Sequence, residues 1–170
     1  MNKHLWGLTL CLTSNLWMGQ AKATDFPAFD LQNLNSGQPR ITMDSIQTPY
    51  ALVNFWASWC GICKAEMPKL LKMVEAFDGQ MSLLAISTDE QLEDAVTAYT
   101  SLQQKHPKIQ SKDVSFGWDQ GQALSLGALN VMRVPETFVL KKVEGARWQV
   151  VDKVVGKHLW HTGRLQEKLK

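Results

Sequence analysis

Two cysteines stand three residues apart in the stretch NFWASWCGICKAEMPKL, directly after a run of apolar residues. A pair with this spacing serves as a structural disulfide, half of a zinc site, a haem attachment point or a redox-active dithiol. A disulfide between Cys60 and Cys63 would close a very small loop, and the stabilisation expected from a disulfide in the chain-entropy model grows with loop size. We therefore expect little structural value from this bridge.

The neighbouring residues exclude haem attachment and give zinc little support. A c-type haem site needs a histidine directly after the second cysteine, and this chain has Lys64 there. A structural zinc site needs four ligands, and the candidate second pair is His158 and His161 near the C-terminus. Histidines of this kind are more often surface residues or helix caps. We expect no metal at the pair.

The order of strand, loop, cysteine pair and helix favours a redox centre. Cys60 stands at the start of the predicted helix, where unpaired backbone N–H groups and the helix dipole favour a negative charge. We therefore expect its thiol to ionise more readily than a free thiol and to act as the nucleophile. Cys63 lies one turn into the helix, where it can attack a mixed disulfide at Cys60 and release the client protein.

The first 23 residues have the pattern of a secretory signal peptide. A short basic head at residues 3–4 precedes a mostly apolar stretch at residues 5–18, and residues 21–23 fit a small-x-small cleavage site. An uncleaved membrane anchor is the alternative, but the stretch is shorter than the roughly 20 apolar residues that a spanning helix needs. We expect cleavage after Ala23 and a location in the periplasm or another extracytoplasmic space.

Removal of this segment changes both the cysteine count and the charge. Cys11 would be lost, so the 3 cysteines would become one pair. Lys3 and Lys22 would be lost as well, so the 18 basic residues would become 16 and equal the 16 acidic ones. A neutral chain argues against nucleic acid as a partner, because such binders need a concentrated basic face. Disulfides form and persist in exported proteins. Because the two remaining cysteines stand only three residues apart, we expect them to serve a reaction rather than stability.

The remaining chain, residues 24–170, predicts one α/β domain. Its composition, 45% hydrophobic and 20% charged, is typical of a globular protein. Residues 24–48 predict a β-hairpin. The other predicted strands cover residues 50–56, 81–88, 137–142 and 148–156. The predicted helices cover residues 60–77, 91–104, 121–129 and 158–170. Asp89 is the predicted N-cap of the second helix. A parallel pair joined by a crossover and followed by a hairpin predicts a mixed sheet flanked by helices.

Two segments carry a family resemblance. FWASWCGICKAEMP resembles the active-site segment of thioredoxin-like proteins, and VPETFVL resembles the segment that carries their cis-proline. The closer similarity is to the exported TlpA/ResA/DsbE group of thiol-disulfide oxidoreductases, which is tied to cytochrome c maturation, and it covers the chain from about residue 26 to the end. The resemblance implies a thioredoxin fold with a central mixed sheet, flanking helices and an N-terminal β-hairpin extension.

The same resemblance implies roles for individual residues. Glu66, three residues after the second cysteine, matches an acid that lies under the pair and handles the proton of exchange. A cis peptide bond before Pro135 would turn the backbone of Val134 toward the disulfide, where it could pair with a client as a short strand. Trp59 would cover the site, whereas Trp56 would pack in the core.

Two positions depart from the family pattern. Gly61 and Ile62 separate the cysteines, where many members have proline at the second position, so a redox potential cannot be transferred from them. Arg133 stands where a glycine is expected. We hypothesise that its charge offsets that of Glu66, which would oppose thiolate formation, and so favours the Cys60 thiolate.

These observations predict an exported protein-disulfide reductase. It would take electrons from a membrane thiol donor and pass them to disulfides of client proteins, with apocytochrome c as the client class that the family suggests. We expect a monomer that needs no cofactor beyond the redox-active Cys60–Cys63 pair. The alternatives are a disulfide oxidase or isomerase of the same fold, a non-enzymatic thioredoxin-like binding module, and a peroxidase, although no threonine stands at the Thr-x-x-Cys spacing.

Overall fold

The computed structural model describes residues 25–169. The predicted signal peptide, residues 1–23, and Cys11 within it lie outside the described residues, so cleavage after Ala23 stays a prediction. No helix within residues 25–169 has the length and apolar character needed to cross a membrane.

A seven-stranded mixed sheet forms the centre of the fold. Its strands are β1 (Asp30–Asn33), β2 (Ile41–Thr42), β3 (Tyr50–Trp56), β4 (Met81–Ser87), β5 (Val114–Trp118), β6 (Glu136–Val143) and β7 (Arg147–Val155). They lie in the order β2-β1-β5-β4-β3-β6-β7. β3, β4 and β5 run parallel, and β1, β2, β6 and β7 pair antiparallel. The pairing of β1 with β2 confirms the N-terminal hairpin.

The two central strands are buried on both faces of the sheet. All seven residues of β4 are buried, as are six of the seven residues of β3. Continuous apolar runs of this kind are typical of parallel strands that are covered on both sides. Their carboxyl ends meet at one edge of the sheet, where the chain leaves β3 and enters the cysteine segment.

Three helices cover one face of the sheet: α1 (Gly61–Ala76), α2 (Leu92–Lys105) and α3 (Thr162–Leu169). Their buried apolar residues join a single core with β3 and β4: Met67 and Leu70 from α1, Tyr99 and Leu102 from α2, Leu165 and Leu169 from α3. The opposite face is covered by the N-terminal segment and the loop before β6, where Phe26 and Val131 pack in one cluster with Trp148 of β7. This arrangement confirms the predicted thioredoxin-type α/β fold.

The structure corrects the predicted sheet in one respect. We counted two parallel strands, and β5 is a third, hydrogen-bonded to β4 on one side and to β1 on the other. β5 is only five residues long and contains Gly117, so its pattern predicted no strand on its own. A Cβ at this position would lie 3.2 Å from the Cδ1 of Leu31 in β1, so a larger residue would require Leu31 to shift by a few tenths of an ångström.

Two further local predictions were wrong. Helix α2 begins at Leu92 with Gln91 at the N-cap position, so Asp89 does not cap it. The predicted helix over residues 121–129 is instead a 3-10 turn at Gln120–Gln122 followed by a π-helical segment at Ala123–Ala128. The backbone of Gly121 and Gln122 has positive φ, which breaks regular α-helical hydrogen bonding at this point.

Candidate active site

Cys60 and Cys63 form a disulfide at the N-terminus of α1. Cys60 is the N-cap residue, Cys63 lies in the first turn, and the two sulfur atoms are bonded at 2.03 Å. The backbone N–H of Cys63 points at the Sγ of Cys60, with nitrogen and sulfur 3.1 Å apart. When the disulfide opens, this N–H and the helix dipole would stabilise a thiolate on Cys60.

The two cysteines differ in their access to solvent. Cys60 is 6% exposed and Cys63 is 1% exposed, so Cys63 is the more deeply enclosed sulfur. A bulky client disulfide can therefore approach Cys60 more readily than Cys63. This difference agrees with the predicted order, in which Cys60 attacks the client and Cys63 resolves the mixed disulfide.

The turn that leads from β3 to Cys60 is fixed at both ends. Trp56, the last residue of β3, is fully buried, which confirms its predicted place in the core. Its carbonyl accepts the backbone N–H of Thr88 at 2.9 Å, and the carbonyl of Ala57 accepts the backbone N–H of Cys60 at 3.1 Å. Hydrogen bonds at the ends of the strands therefore set the position of Cys60.

Asp89 holds the middle of this turn, a role that the sequence analysis missed. Its carboxylate, on a residue only 3% exposed, accepts the backbone N–H of Ser58 at 2.9 Å and the hydroxyls of Ser58 and Ser87, each at 2.7 Å. Its backbone carbonyl accepts the indole N–H of Trp118 at 2.8 Å. The sequence offered one signal for this role: Ser87 and Asp89 stand directly at the end of a buried parallel strand. The carboxyl ends of parallel strands lie side by side, so polar residues there are close to the neighbouring turn.

Glu66 lies on the buried face of α1, one turn after Cys63. Residues three apart on a helix share a face, so Glu66 lies on the same face as Cys63. Glu66 is 3% exposed and Cys63 is 1% exposed. The Oε1 atom of Glu66 accepts the indole N–H of Trp160 at 2.8 Å and the backbone N–H of His158 at 3.2 Å. Glu66 is thus a buried, hydrogen-bonded carboxyl group rather than a solvated surface residue.

The peptide bond between Val134 and Pro135 is cis, as predicted. Pro135 is buried, and its carbonyl accepts the backbone N–H of Gly156 at 2.8 Å. Val134 is half-buried, and no backbone hydrogen bond joins it to another loop residue in the described part of the chain. Its N–H and C=O groups are therefore available for an extended peptide.

An open groove of about 340 Å³ is lined by Trp59, the residue before Cys60, and by neither cysteine. It lies between the turn before Cys60, the start of α2 and the loop before Pro135, and its lining includes Trp59, Asp89, Asp94, Arg133 and Val134. Large apolar side chains stand exposed at the site: Trp59 and Met132 at 72% each and Ile62 at 53%. Exposed apolar groups of this size mark a surface that binds a partner.

Arg133 is exposed and lines the groove. No salt bridge joins it to Glu66 within residues 25–169, and the Oε1 of that carboxyl group is hydrogen-bonded to Trp160 and His158 instead. An effect of Arg133 on Cys60 would therefore act across the groove, and it stays a prediction.

His158 and His161, the candidate zinc ligands of the sequence analysis, follow β7. His158 contacts Glu66 through its backbone, and its ring packs edge-on against Trp160 with centroids 5.0 Å apart. Among residues 25–169 no group of three or more histidine, cysteine, aspartate or glutamate side chains is arranged to hold a metal ion.

Comparison with known proteins agrees with this site. The model of the AhpC/TSA family matches residues 23–144. The chain is 29% identical over 139 residues to the thiol:disulfide interchange protein DsbE of Pseudomonas aeruginosa, a match that covers 79% of this chain and 68% of that protein. It is 30% identical over 120 residues to the thiol:disulfide interchange protein HelX of Rhodobacter capsulatus, covering 71% of this chain and 60% of HelX.

Solved structures show the same fold. The thioredoxin domain of a thiol-disulfide oxidoreductase from Bacteroides vulgatus superposes with a TM-score of 0.63 at 21% identity. The superposition covers 89% of this chain and 99% of the other. The proteins similar in sequence thus agree with the TlpA/ResA/DsbE resemblance, and the structural neighbour agrees with the predicted thioredoxin fold.

Proposed function

The chain belongs to the AhpC/TSA family and is a thiol-disulfide oxidoreductase, and from that premise we propose that it reduces disulfides of client proteins. The observation that carries the proposal is the asymmetry of the pair. The Sγ of Cys60 lies at the more accessible side and receives the N–H of Cys63 at 3.1 Å, whereas the sulfur of Cys63 is enclosed. One sulfur is thus prepared to attack and the other to resolve.

The reaction begins with the reduced dithiol. The Cys60 thiolate attacks one sulfur of the client disulfide, so a mixed disulfide forms and the first client thiolate leaves. The Cys63 thiol then loses its proton and its sulfur attacks the Sγ of Cys60, which expels the second client thiolate. The client has gained two electrons and two protons, and the enzyme is left with the Cys60–Cys63 disulfide.

Glu66 acts as the acid-base group in this scheme. Cys63 is almost inaccessible, so its proton needs an acceptor within the protein. The carboxyl group of Glu66 follows one turn later on the same buried helix face and can take that proton and return it to a departing thiolate. No cofactor beyond the cysteine pair takes part.

The groove lined by Trp59 and Val134 seats the client. The unpaired backbone groups of Val134 would hydrogen-bond an extended client segment, which is how a peptide adds to the edge of a protein backbone. Trp59 would cover the client, because its side chain is 72% exposed and lines the same groove as Val134. Pro135 fixes the loop that carries Val134.

The electron donor and the location follow from the same proposal. A membrane thiol donor would reopen the Cys60–Cys63 disulfide in the periplasm or another extracytoplasmic space, after removal of residues 1–23. Apocytochrome c cysteines are the proposed client class. The resemblance to the TlpA/ResA/DsbE group supports these statements.

The redox equilibrium of the mature protein in glutathione buffers tests the direction of electron flow. A reductant requires a potential well below about −200 mV, and a value near about −120 mV would identify an oxidase instead. Reduction of insulin disulfides by wild-type protein and by Cys60→Ser tests the activity itself. We expect reduction by the wild type alone. A wild-type protein that reduces no disulfide would favour the non-enzymatic binding module.

A further inference from the structure

The buried carboxyl group of Glu66 is held by a segment that is distant in sequence. The C-terminal segment, residues 156–161, connects β7 to α3. It supplies both hydrogen bonds that reach Glu66 from described residues, from the indole of Trp160 and the backbone of His158. We propose that Trp160 is a positioning residue for Glu66 and so sets the efficiency of the proton step. This inference rests on the proton role of Glu66 in the proposed function.

The two hydrogen bonds converge on one oxygen of the carboxyl group. Trp160 donates to Oε1 at 2.8 Å and His158 donates to Oε1 at 3.2 Å. An oxygen that accepts two N–H groups presents its lone pairs to them. The exchangeable proton is therefore carried by Oε2. The proton moves from the Sγ of Cys63 to Oε2 of Glu66 and then to the thiolate that leaves.

The indole is itself held in place from several sides. Its ring packs against the core that contains the buried face of α1, and the ring of His158 meets it edge-on at 5.0 Å. The segment begins at Gly156, whose N–H donates to the carbonyl of Pro135 at 2.8 Å. The same six residues thus contact the cis-proline loop at one end and Glu66 at the other.

The orientation of a carboxyl group affects the rate of proton transfer because donor and acceptor must be aligned within hydrogen-bond distance. Helix α1 fixes only the Cα of Glu66, and its side chain retains three rotatable bonds. Without a donor such as Trp160, the carboxyl group could rotate away from Cys63. Trp160 would therefore act on the chemical step without touching the client.

The substitution Trp160→Phe tests this inference, because phenylalanine keeps an aromatic ring and removes the N–H donor. We expect kcat for reduction of a peptide disulfide to fall about tenfold with KM unchanged. This loss is smaller than the loss expected on removal of a general acid-base group itself. In the reduced protein, the thiol titration curve should move in the same direction as that of Glu66→Gln. The matched control is Leu159→Ala, since this side chain lies between the two donors in sequence and is 66% exposed.

A double-mutant cycle separates positioning of Glu66 from a general structural effect. We expect Trp160→Phe to have no further effect on the titration curve when Glu66→Gln is already present. An equal shift in both backgrounds would overturn the inference, and so would a curve that Trp160→Phe leaves unmoved. The thiol titration curve of the reduced protein can be measured without any enzymatic turnover. A wild type that reduces no client would therefore refute the proposed function, and the titration would still decide the role of Trp160.

Discussion

The carboxylate of Asp89 accepts both the backbone N–H and the hydroxyl of Ser58, with Oδ2 at 2.9 Å from the nitrogen and Oδ1 at 2.7 Å from the hydroxyl oxygen. Ser58 stands directly before Trp59 and two residues before Cys60. The segment after β4 is therefore hydrogen-bonded to the turn that carries Trp59 and Cys60. Asp89 and Ser87 are buried and Ser58 is half-buried, so loss of the carboxylate would leave a buried hydroxyl and a partly buried N–H group without a partner.

Replacement of Asp89 should therefore destabilise the protein. We expect Asp89→Ala to lower the free energy of unfolding by about 2–4 kcal/mol, since buried hydrogen-bond donors lose a charged acceptor. Urea denaturation measures this change. Glu90→Ala is the matched control, because this neighbouring acid is exposed and should change stability by less than about 0.5 kcal/mol. Equal stability of the two variants would contradict the prediction.

Trp59 should contribute to client binding rather than to folding. We expect Trp59→Ala to lower kcat/KM for a protein disulfide about 5- to 30-fold, as for an exposed aromatic anchor at an interface, mainly by raising KM. The free energy of unfolding should change by less than about 0.5 kcal/mol, because the side chain is 72% exposed. Leu159→Ala, at a similarly exposed leucine that does not line the groove, should leave kcat/KM unchanged.

Gly61 can accept a larger side chain. It is the first residue of α1, and no heavy atom lies within 4 Å of the position that a Cβ would take. We expect Gly61→Ala to raise the free energy of unfolding of the oxidised protein by about 0.4–1 kcal/mol, because alanine restricts the unfolded chain. Gly79→Ala is the opposite case, since φ is +73° there, and it should destabilise the protein. Urea denaturation of both variants measures whether the free energy of unfolding rises for Gly61→Ala and falls for Gly79→Ala.

Cys63→Ser should trap the client. Without the resolving thiol, the mixed disulfide at Cys60 cannot collapse to the Cys60–Cys63 disulfide. Non-reducing electrophoresis with a peptide disulfide should show a covalent complex for Cys63→Ser. Cys60→Ser should show none, because the sulfur of Cys63 is only 1% exposed. A complex of equal yield in both variants would refute the assigned order of attack.

Tyr99 should make the protein less stable in alkali. Burial raises the pKa of its phenol above the ordinary value of 10.0, so the folded protein keeps the proton after the unfolded chain has lost it. The contribution of Tyr99 is fully present below pH 10 and declines as the pH rises through the folded-state pKa. Tyr99→Phe should lose less stability than the wild type as the pH rises above 10. Identical losses would contradict this assignment.

The cysteine pair could be predicted from the sequence because its position depends on local rules. A strand, a turn and a helix that follow one another place Cys60 at the helix start, and a spacing of three residues then places Cys63 one turn later. Glu66 shares that helix face for the same reason. The cis bond before Pro135 was predicted differently, from the resemblance of VPETFVL to the cis-proline segment of thioredoxin-like proteins.

The partners of these residues could not be predicted in the same way. Ser58 and Asp89 are 31 residues apart, and Glu66 and Trp160 are 94 apart. No periodicity links such positions, so Asp89 was first interpreted as a helix cap. The third parallel strand, β5, was missed for a related reason, because its five residues become a strand through pairing with β4 and β1.

The sequence by itself thus determined the chemistry: two sulfurs at a helix N-terminus, an acid one turn after them and a proline loop. Only the tertiary structure decided how that chemistry is supported. It buries Cys63, hydrogen-bonds the carboxyl group of Glu66 to Trp160 and joins the turn before Cys60 to Asp89. The physical reason is that hydrogen-bond geometry and burial depend on which strands and helices lie side by side, whereas the thiol pair and its helix depend on residues that are neighbours in the chain.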